Sequence, residues 1–208
     1  HPSLNRKVAI KMLPREFVSN QEFLKRFERE AKIIAELEHP NIVQVYDYEE
    51  QFGTYFIVME YVEGRVLSDY IKEGKPMPQK QVAAIISQIA NALAYAHKKG
   101  IVHRDIKPSN AIMRNDGVVK LMDFGIALST SIDIHLTQEG KVVGTPKYMS
   151  PEQLQGKKID HRSDIYSLGV MCYEMLAGKP PFDGKDFITI ATKHLKEHPV
   201  PIRNIVPN

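Results

Sequence analysis

The chain has 208 residues, of which 43% are hydrophobic and 25% are charged, so it can bury the core of one large domain or two small lobes. Its formal net charge of +3 is small and the basic residues are dispersed, which argues against nucleic acid or an anionic membrane as the main partner. Cys172 is the only cysteine, which excludes an intramolecular disulfide and is compatible with a reducing cytoplasm. No apolar stretch approaches the roughly 20 residues that span a bilayer, and no signal-peptide pattern opens the chain.

The first part of the chain is predicted to combine strands with one helix. Residues 6–13 mix alternation with β-branched side chains and are followed by a proline, which indicates a strand. A capping-box pattern opens at Ser19 and predicts a helix that runs to about Leu37 with its apolar side chains on one face. Residues 42–48 and 54–59 are β-rich runs around a glycine-containing turn, which predicts an antiparallel hairpin.

The pattern changes near residue 62, where helical spacing begins to dominate. Residues 82–96 carry apolar side chains at helical spacing and predict one long helix that Gly100 ends. The remaining predicted elements are two short strands and two helices, at 111–113, 118–122, about 161–177 and about 185–197. We therefore predict an α+β fold with one lobe at residues 1–62 and a second at residues 63–208.

The most informative run is residues 103–110, His-Arg-Asp-Ile-Lys-Pro-Ser-Asn, which an Asp-Phe-Gly triplet follows from residue 123. A phosphoryl-transfer site needs a carboxylate that orients a hydroxyl nucleophile, and hard oxygen ligands that hold Mg²⁺ against the phosphates of ATP. Asp105 fits the first role, and Asn110 and Asp123 fit the second. Lys107 is placed to steady the transferring phosphate. A merely charged loop after a helix is the alternative, but it does not account for both motifs together.

Lys11 ends a Val-Ala-Ile-Lys run on the first predicted strand, where a fixed cation can neutralise the α- and β-phosphates. Taken alone, such a tetrapeptide more often indicates a surface lysine on an edge strand, and the later motifs reverse that preference. Glu30 borders the apolar face of the predicted helix and is the expected carboxylate partner of Lys11. Two alternatives stay open: Glu30 is a solvated partner of Arg26, or Glu28 takes its place.

With these residues assembled, the chain resembles the eukaryotic-like serine/threonine protein kinases, and residues 4–11 look most like the bacterial branch. Residues 144–152 are similar to the family's substrate-docking loop and its Ala-Pro-Glu end, with Ser150 in place of the alanine. Residues 164–169 resemble the buried helix of the larger lobe, where Asp164 ties down the backbone of the catalytic loop. The resemblance implies a two-lobed protein-kinase-like fold with ATP between a small β-rich lobe and a larger, mainly helical lobe.

The resemblance also implies roles around the nucleotide. Met59 would be the gatekeeper, and the backbone of Glu60 and Val62 would hydrogen-bond adenine, with Ala9 as its ceiling and Ile112 as its floor. Four further residues would stack as the spine of the active enzyme, a role compatible with plain core packing: Ile34, Val45, His103 and Phe124.

The same resemblance implies which class of kinase this is and how its activity is regulated. Lys107 and the Gly-Thr-Pro run at 144–146 imply the serine/threonine class, in which Thr145 would bridge the catalytic Asp and Lys107. Arg104 is the family's mark of control by activation-loop phosphorylation, since a loop phosphate can pair with its guanidinium, and Thr137 is the leading phosphosite. The implied partners are ATP, Mg²⁺, proteins with Ser or Thr acceptors, and a second copy of the chain for autophosphorylation.

Two segments of the family pattern are missing from the sequence. The glycine-rich loop should precede Lys11, but none of the ten residues before it is glycine, and the chain stops before the helices that supply an arginine to Glu152. We expect a fragment of a longer protein, and in the bacterial branch the parent often has a membrane anchor. A pseudokinase-like binding or scaffolding module is the alternative function, supported by the missing loop, while the 144–152 segment disfavours a small-molecule kinase.

Overall fold

The computed structural model describes residues 6–13, 18, 20–71, 74–124 and 146–206. The first part of this chain forms the elements β1 (Val8–Met12), α1 (Gln21–Ala35), β2 (Val45–Gln51) and β3 (Thr54–Glu60). The three strands form one antiparallel sheet in the order β1-β3-β2. The predicted hairpin is confirmed. Its first strand continues to Gln51, because residues 49–51, whose polar and charged side chains suggested a loop, pair with β3 through their backbone.

Helix α1 begins at Gln21 because the side chain of Asn20 accepts hydrogen bonds from the backbone N–H groups of Glu22 and Phe23. The predicted apolar face is confirmed, since the side chains that define it are buried in the core: Phe23, Phe27, Ala31, Ile34 and Leu37. The helix packs against β2 and so places its Glu30 turn beside the sheet.

The second part of the chain forms the elements β4 (Gly64–Val66), α2 (Leu67–Ile71), α3 (Gln79–Lys98), β5 (Ala111–Arg114), β6 (Val119–Leu121), α4 (Pro151–Leu154), α5 (His161–Ala177) and α6 (Phe187–Lys196). The predicted long helix is confirmed as α3, which packs against α5 and ends before Gly100, whose φ is +76°. Strands β4, β5 and β6 form a second antiparallel sheet, and a Cβ at Gly64 would overlap the carbonyl of Met113. Among the described residues no helix is long and apolar enough to cross a membrane.

A short segment after α1 joins the two sheets. The backbone of Val43 donates to Leu121 (2.9 Å), and Leu121 in turn donates to Asn41 (2.8 Å). Nearby, the ammonium of Lys120 on β6 lies 2.7 Å from the carboxylate of Glu60 at the end of β3. The end of the first sheet is therefore held close to the strand that leads to Asp123.

Candidate active site

The loop between α3 and β5 brings three predicted catalytic residues together. The Lys107 ammonium lies 2.7 Å from Asp105 Oδ2, and the amide nitrogen of Asn110 donates to the same oxygen at 2.8 Å. The Asn110 amide also donates to the Asp105 backbone carbonyl at 2.9 Å. Asp105 therefore has a fixed orientation, because a cation and an amide both hold its Oδ2.

Asp164 on α5 holds the backbone of this loop. Its carboxylate accepts from the backbone N–H of Arg104 (2.7 Å) and of His103 (2.8 Å), and it lies 2.7 Å from His97 Nε2. Only 1% of Asp164 is exposed to solvent. Arg104 has a φ of +68°, a left-handed conformation that costs a non-glycine residue about 1 kcal/mol or more, so the buried carboxylate stabilises a strained loop.

A second contact to the loop comes from α4 and was not predicted. The side-chain amide of Gln153 donates to the Arg104 carbonyl at 2.8 Å. Its oxygen accepts from the backbone of Ser150, and Ser150 and Gln153 form a reciprocal capping box at the start of α4. The Ser-Pro-Glu-Gln sequence carried the signal for that helix start, but not for the contact with the loop.

Lys11 and Glu30 lie in the expected elements but do not pair with each other. The Lys11 ammonium lies 2.8 Å from Asp123, and Glu30 lies 3.9 Å from the guanidinium of Arg104. The expected Lys11–Glu30 ion pair is therefore not the one that forms in this structure. The prediction omitted the competing carboxylate of Asp123 and the competing cation of Arg104, both of which come from the opposite lobe.

His103 and Phe124 are packed behind the site. Their ring centroids lie 4.5 Å apart, and His103 is fully buried. His103 Nδ1 accepts from the backbone of Asp105, while Nε2 bonds to the carbonyl of Met122 at 3.0 Å. Burial lowers the pKa of His103, which keeps the ring neutral in this setting. The predicted packing of His103 with Phe124 is confirmed, and Ile34 and Val45 are buried as well.

The residues implied to surround the nucleotide lie along the joint between the sheets. Ala9 on β1 is opposite Met59 on β3 in the strand register, and Met59 is buried. Glu60 ends β3, where its backbone N–H donates to the carbonyl of Gln44 at 2.8 Å. Two more residues of this set are partly buried, Val62 before β4 and Ile112 on β5. Thr137, the predicted phosphosite, and Thr145, which is predicted to bridge Asp105 and Lys107, lie outside the described residues.

The turn Pro146–Tyr148 follows that undescribed stretch and is attached to α5. The Tyr148 hydroxyl donates to the carboxylate of Glu174, and the hydroxyl of Ser167 donates to the Tyr148 carbonyl at 2.6 Å. Burial, together with Glu174, raises the pKa of the Tyr148 hydroxyl. The carboxylate of Glu152, which in the family pattern pairs with an arginine from later helices, accepts a hydrogen bond from Ser163.

Three comparisons with known proteins agree with this arrangement. The family model of the protein kinase domain matches residues 1–206. The serine/threonine-protein kinase PrkC of Bacillus subtilis is 46% identical over 193 residues, which cover 93% of this chain and 30% of PrkC. The serine/threonine-protein kinase PknB of Mycobacterium leprae is 43% identical over 202 residues, which cover 95% of this chain and 32% of PknB.

The solved structures give the same result for the fold. The Mycobacterium tuberculosis PknI kinase domain matches with a TM-score of 0.76 and 30% identity, covering all of this chain and 75% of that one. The small sheet with one helix and the larger, mainly helical part are thus the two lobes of a protein kinase fold. The chain spans only about a third of the length of the curated relatives. It belongs to the protein kinase domain family, in the branch of the bacterial eukaryotic-like serine/threonine kinases.

Proposed function

We propose that this chain is the catalytic core of an ATP-dependent serine/threonine protein kinase, which transfers the γ-phosphate of ATP to Ser or Thr hydroxyls of proteins. The observation that carries the proposal is the cluster of Asp105, Lys107 and Asn110 on a loop held by a buried carboxylate. Asp105 orients the acceptor hydroxyl and takes its proton as the hydroxyl oxygen bonds to the γ-phosphorus and the bond from that phosphorus to the leaving ADP breaks. Lys107 lies close enough to Asp105 to stabilise the charge of the transferring phosphate.

Mg²⁺ fits the residues on the ATP side of this cluster. Asn110 uses its amide nitrogen for both bonds to Asp105, so its amide oxygen faces away from that carboxylate. Asp123 contributes a partly exposed carboxylate, and hard oxygens of this kind suit a magnesium ion. When bound, the ion neutralises charge on the ATP phosphates. Lys11, already beside Asp123, would bind the α- and β-phosphates.

The nucleotide-binding and regulatory assignments remain part of the proposal. Adenine would lie between Ala9 and Ile112 and bond to the backbone of the segment from Glu60 to Val62, which links the two sheets. We place the lobe boundary in that segment, at residues 62 and 63. The site would work on the cytoplasmic side, where ATP is available.

Phosphorylation of Thr137 by a second copy of the chain would supply a phosphate for Arg104. We expect Thr137→Ala to lower activity and mass spectrometry after incubation with Mg-ATP to find phosphate on Thr137. A Thr137→Ala variant as active as the wild type would remove this assignment.

The kinase proposal is tested by phosphate transfer from labelled ATP to a protein acceptor in the full-length parent. Asp105→Asn and Lys11→Met should each abolish the transfer while leaving the circular dichroism spectrum and Tm close to those of the wild type. Transfer above about 1% of the wild-type rate in either variant would contradict the proposed mechanism.

One observation favours a second candidate, a pseudokinase-like scaffolding module. Lys11 pairs with Asp123 and not with Glu30, so the phosphate-binding side is not in its expected arrangement. A scaffold would bind its partner equally well with Asp105→Asn. Absence of transfer by the full-length wild type with Mg-ATP, together with unchanged partner binding by Asp105→Asn, would favour the scaffold.

A further inference from the structure

Gln153 on α4 is a buried polar residue to which the proposed mechanism assigns no role. Only 8% of it is exposed. Its amide nitrogen donates to the carbonyl of Arg104 at 2.8 Å, and its amide oxygen accepts from the backbone N–H of Ser150 at 2.9 Å. Because a carbonyl only accepts and a backbone N–H only donates, both hydrogen bonds require this one orientation of the amide.

The carbonyl of Arg104 belongs to the peptide group that leads into Asp105. A peptide group is planar, so the Asp105 N–H lies in the same plane and points the opposite way. That N–H donates to His103 Nδ1 at 3.2 Å. The plane is therefore held at both edges, by Gln153 at its carbonyl and by His103 at its N–H.

The peptide plane before Arg104 is held by a different residue. Its N–H donates to the buried carboxylate of Asp164 at 2.7 Å. Arg104 joins the two planes with a φ of +68°, a conformation that non-glycine residues rarely adopt. Rotation about the Cα–C bond of Arg104 would turn the second plane, and the Asp105 backbone with it, without breaking the bond to Asp164. Gln153, which lies outside the loop, opposes that rotation.

Gln153 also links the loop to the segment that resembles a substrate-docking loop. Its amide oxygen binds Ser150, which follows the turn Pro146–Tyr148, and the turn is itself attached to α5. One side chain thus contacts the backbone next to Asp105 and the backbone next to the turn. A shift of either segment relative to the other would break one of its two hydrogen bonds.

We propose that Gln153 is a positioning residue for phosphate transfer, which holds the Arg104 carbonyl and so fixes the direction of Asp105 relative to the docked acceptor. The inference rests on the proposed kinase function, because that function assigns Asp105 to orient the acceptor hydroxyl. Gln153 acts through the backbone of the loop and not by contact with the reacting atoms.

The test uses variants of the full-length protein, assayed at pH 8, where a carboxylate is ionised. Gln153→Glu keeps the size of the side chain and the oxygen that accepts from Ser150, but replaces the donor to the Arg104 carbonyl with an acceptor. Gln153→Met removes both hydrogen bonds without adding a charge. Gln155→Glu, which adds the same charge at the exposed C-terminal end of α4, is the matched control. For each protein we would measure kcat with a protein acceptor, KM for ATP, and hydrogen exchange of the Asp105 amide by NMR.

We expect kcat to fall by about tenfold in both Gln153 variants, the effect of losing one buried hydrogen bond that orients the catalytic carboxylate. Exchange of the Asp105 amide should accelerate in both, while KM for ATP should change by less than about twofold. Gln155→Glu should stay close to the wild type in all three quantities.

A kcat near that of the wild type in Gln153→Glu would overturn the proposal, because that variant keeps the bond to Ser150 and lacks only the donor to the loop. An equal loss of kcat in Gln155→Glu would also overturn it, since charge alone would then explain the effect. So would a rise in KM for ATP as large as the fall in kcat, which would indicate a general disturbance of the site.

The outcome can be separated from that of the kinase assignment. A full-length wild type that transfers no phosphate would overturn the proposed function, and the hold of Gln153 on the loop would then be judged by hydrogen exchange alone. Faster exchange of the Asp105 amide in both Gln153 variants, with unchanged exchange in α5, would support the positioning role. Unchanged exchange at Asp105 would overturn it.

Discussion

The loop that carries Asp105 is fixed by buried hydrogen bonds, whereas Lys11 across the cleft makes an ion pair that solvent reaches. Asp164 is almost fully buried and accepts two backbone N–H groups of the loop, while 42% of the Lys11 side chain and 22% of the Asp123 side chain are exposed. Buried polar contacts have few alternatives, but exposed ion pairs exchange partners at little cost. The loop that carries Asp105 is therefore pre-organised, and the Lys11 side of the cleft can rearrange.

The largest loss of stability should follow from removing the carboxylate that holds the loop. Asp164→Ala leaves His97 and the backbone N–H groups of His103 and Arg104 without their acceptor, which should lower the free energy of unfolding by about 3 to 5 kcal/mol. Urea unfolding measures the change. Asp160→Ala, at the partly exposed N-cap of the same helix, is the control and should lose only the smaller stabilisation of a helix cap. Equal losses of unfolding free energy in Asp164→Ala and Asp160→Ala would show that the buried carboxylate does not hold the loop.

The second-largest loss of stability should follow from removing the ammonium of Lys120, which joins the two lobes. Lys120 is 9% exposed, and its ammonium lies 2.7 Å from Glu60 and 3.4 Å from the carbonyl of Ile42. We expect Lys120→Met to cost about 2 kcal/mol in urea unfolding, since both acceptors lose a charged donor. Lys99→Met removes a similar bond between the lobes at the exposed end of α3, to the carbonyl of Glu36, and should cost less than about 0.5 kcal/mol. A larger loss in Lys99→Met would contradict the comparison.

Buried histidines should make the pre-organised lobe sensitive to acid. Burial lowers the pKa values of His103 and His194 below the ordinary 6.5, so the unfolded chain takes up protons before the folded one. Stability is then complete above pH 6.5 and falls as the pH drops toward the folded-state pKa, by at most about 1.4 kcal/mol per pH unit for each histidine. Unfolding at pH 7.5, 6.5 and 5.5 should show a shallower slope for His194→Gln. Identical slopes would contradict this assignment.

The same contrast separates what the sequence predicted from what it could not. Asp105, Lys107 and Asn110 lie within six residues on one loop, so their spacing alone brings them together. Gln153 contacts the loop, and Lys11 pairs with Asp123 instead of Glu30, because of how elements distant in the sequence pack together. A local sequence pattern contains no information about that packing. Strand β4 is too short for periodicity to reveal. The roles of Thr137 and Thr145 stay predictions.

The smallest effect on stability should come from Lys11 itself. Because its ion pair with Asp123 is exposed, Lys11→Met should change the free energy of unfolding by less than about 1 kcal/mol, little more than a surface change such as Lys25→Met. Phosphate transfer should nevertheless fall by at least about 100-fold, since the ammonium would stabilise phosphate charge that develops only during the reaction. Urea unfolding and labelled-ATP assays on the same preparations measure the two quantities. A large loss of stability would show that the Lys11 side of the cleft is as firmly built as the Asp105 loop.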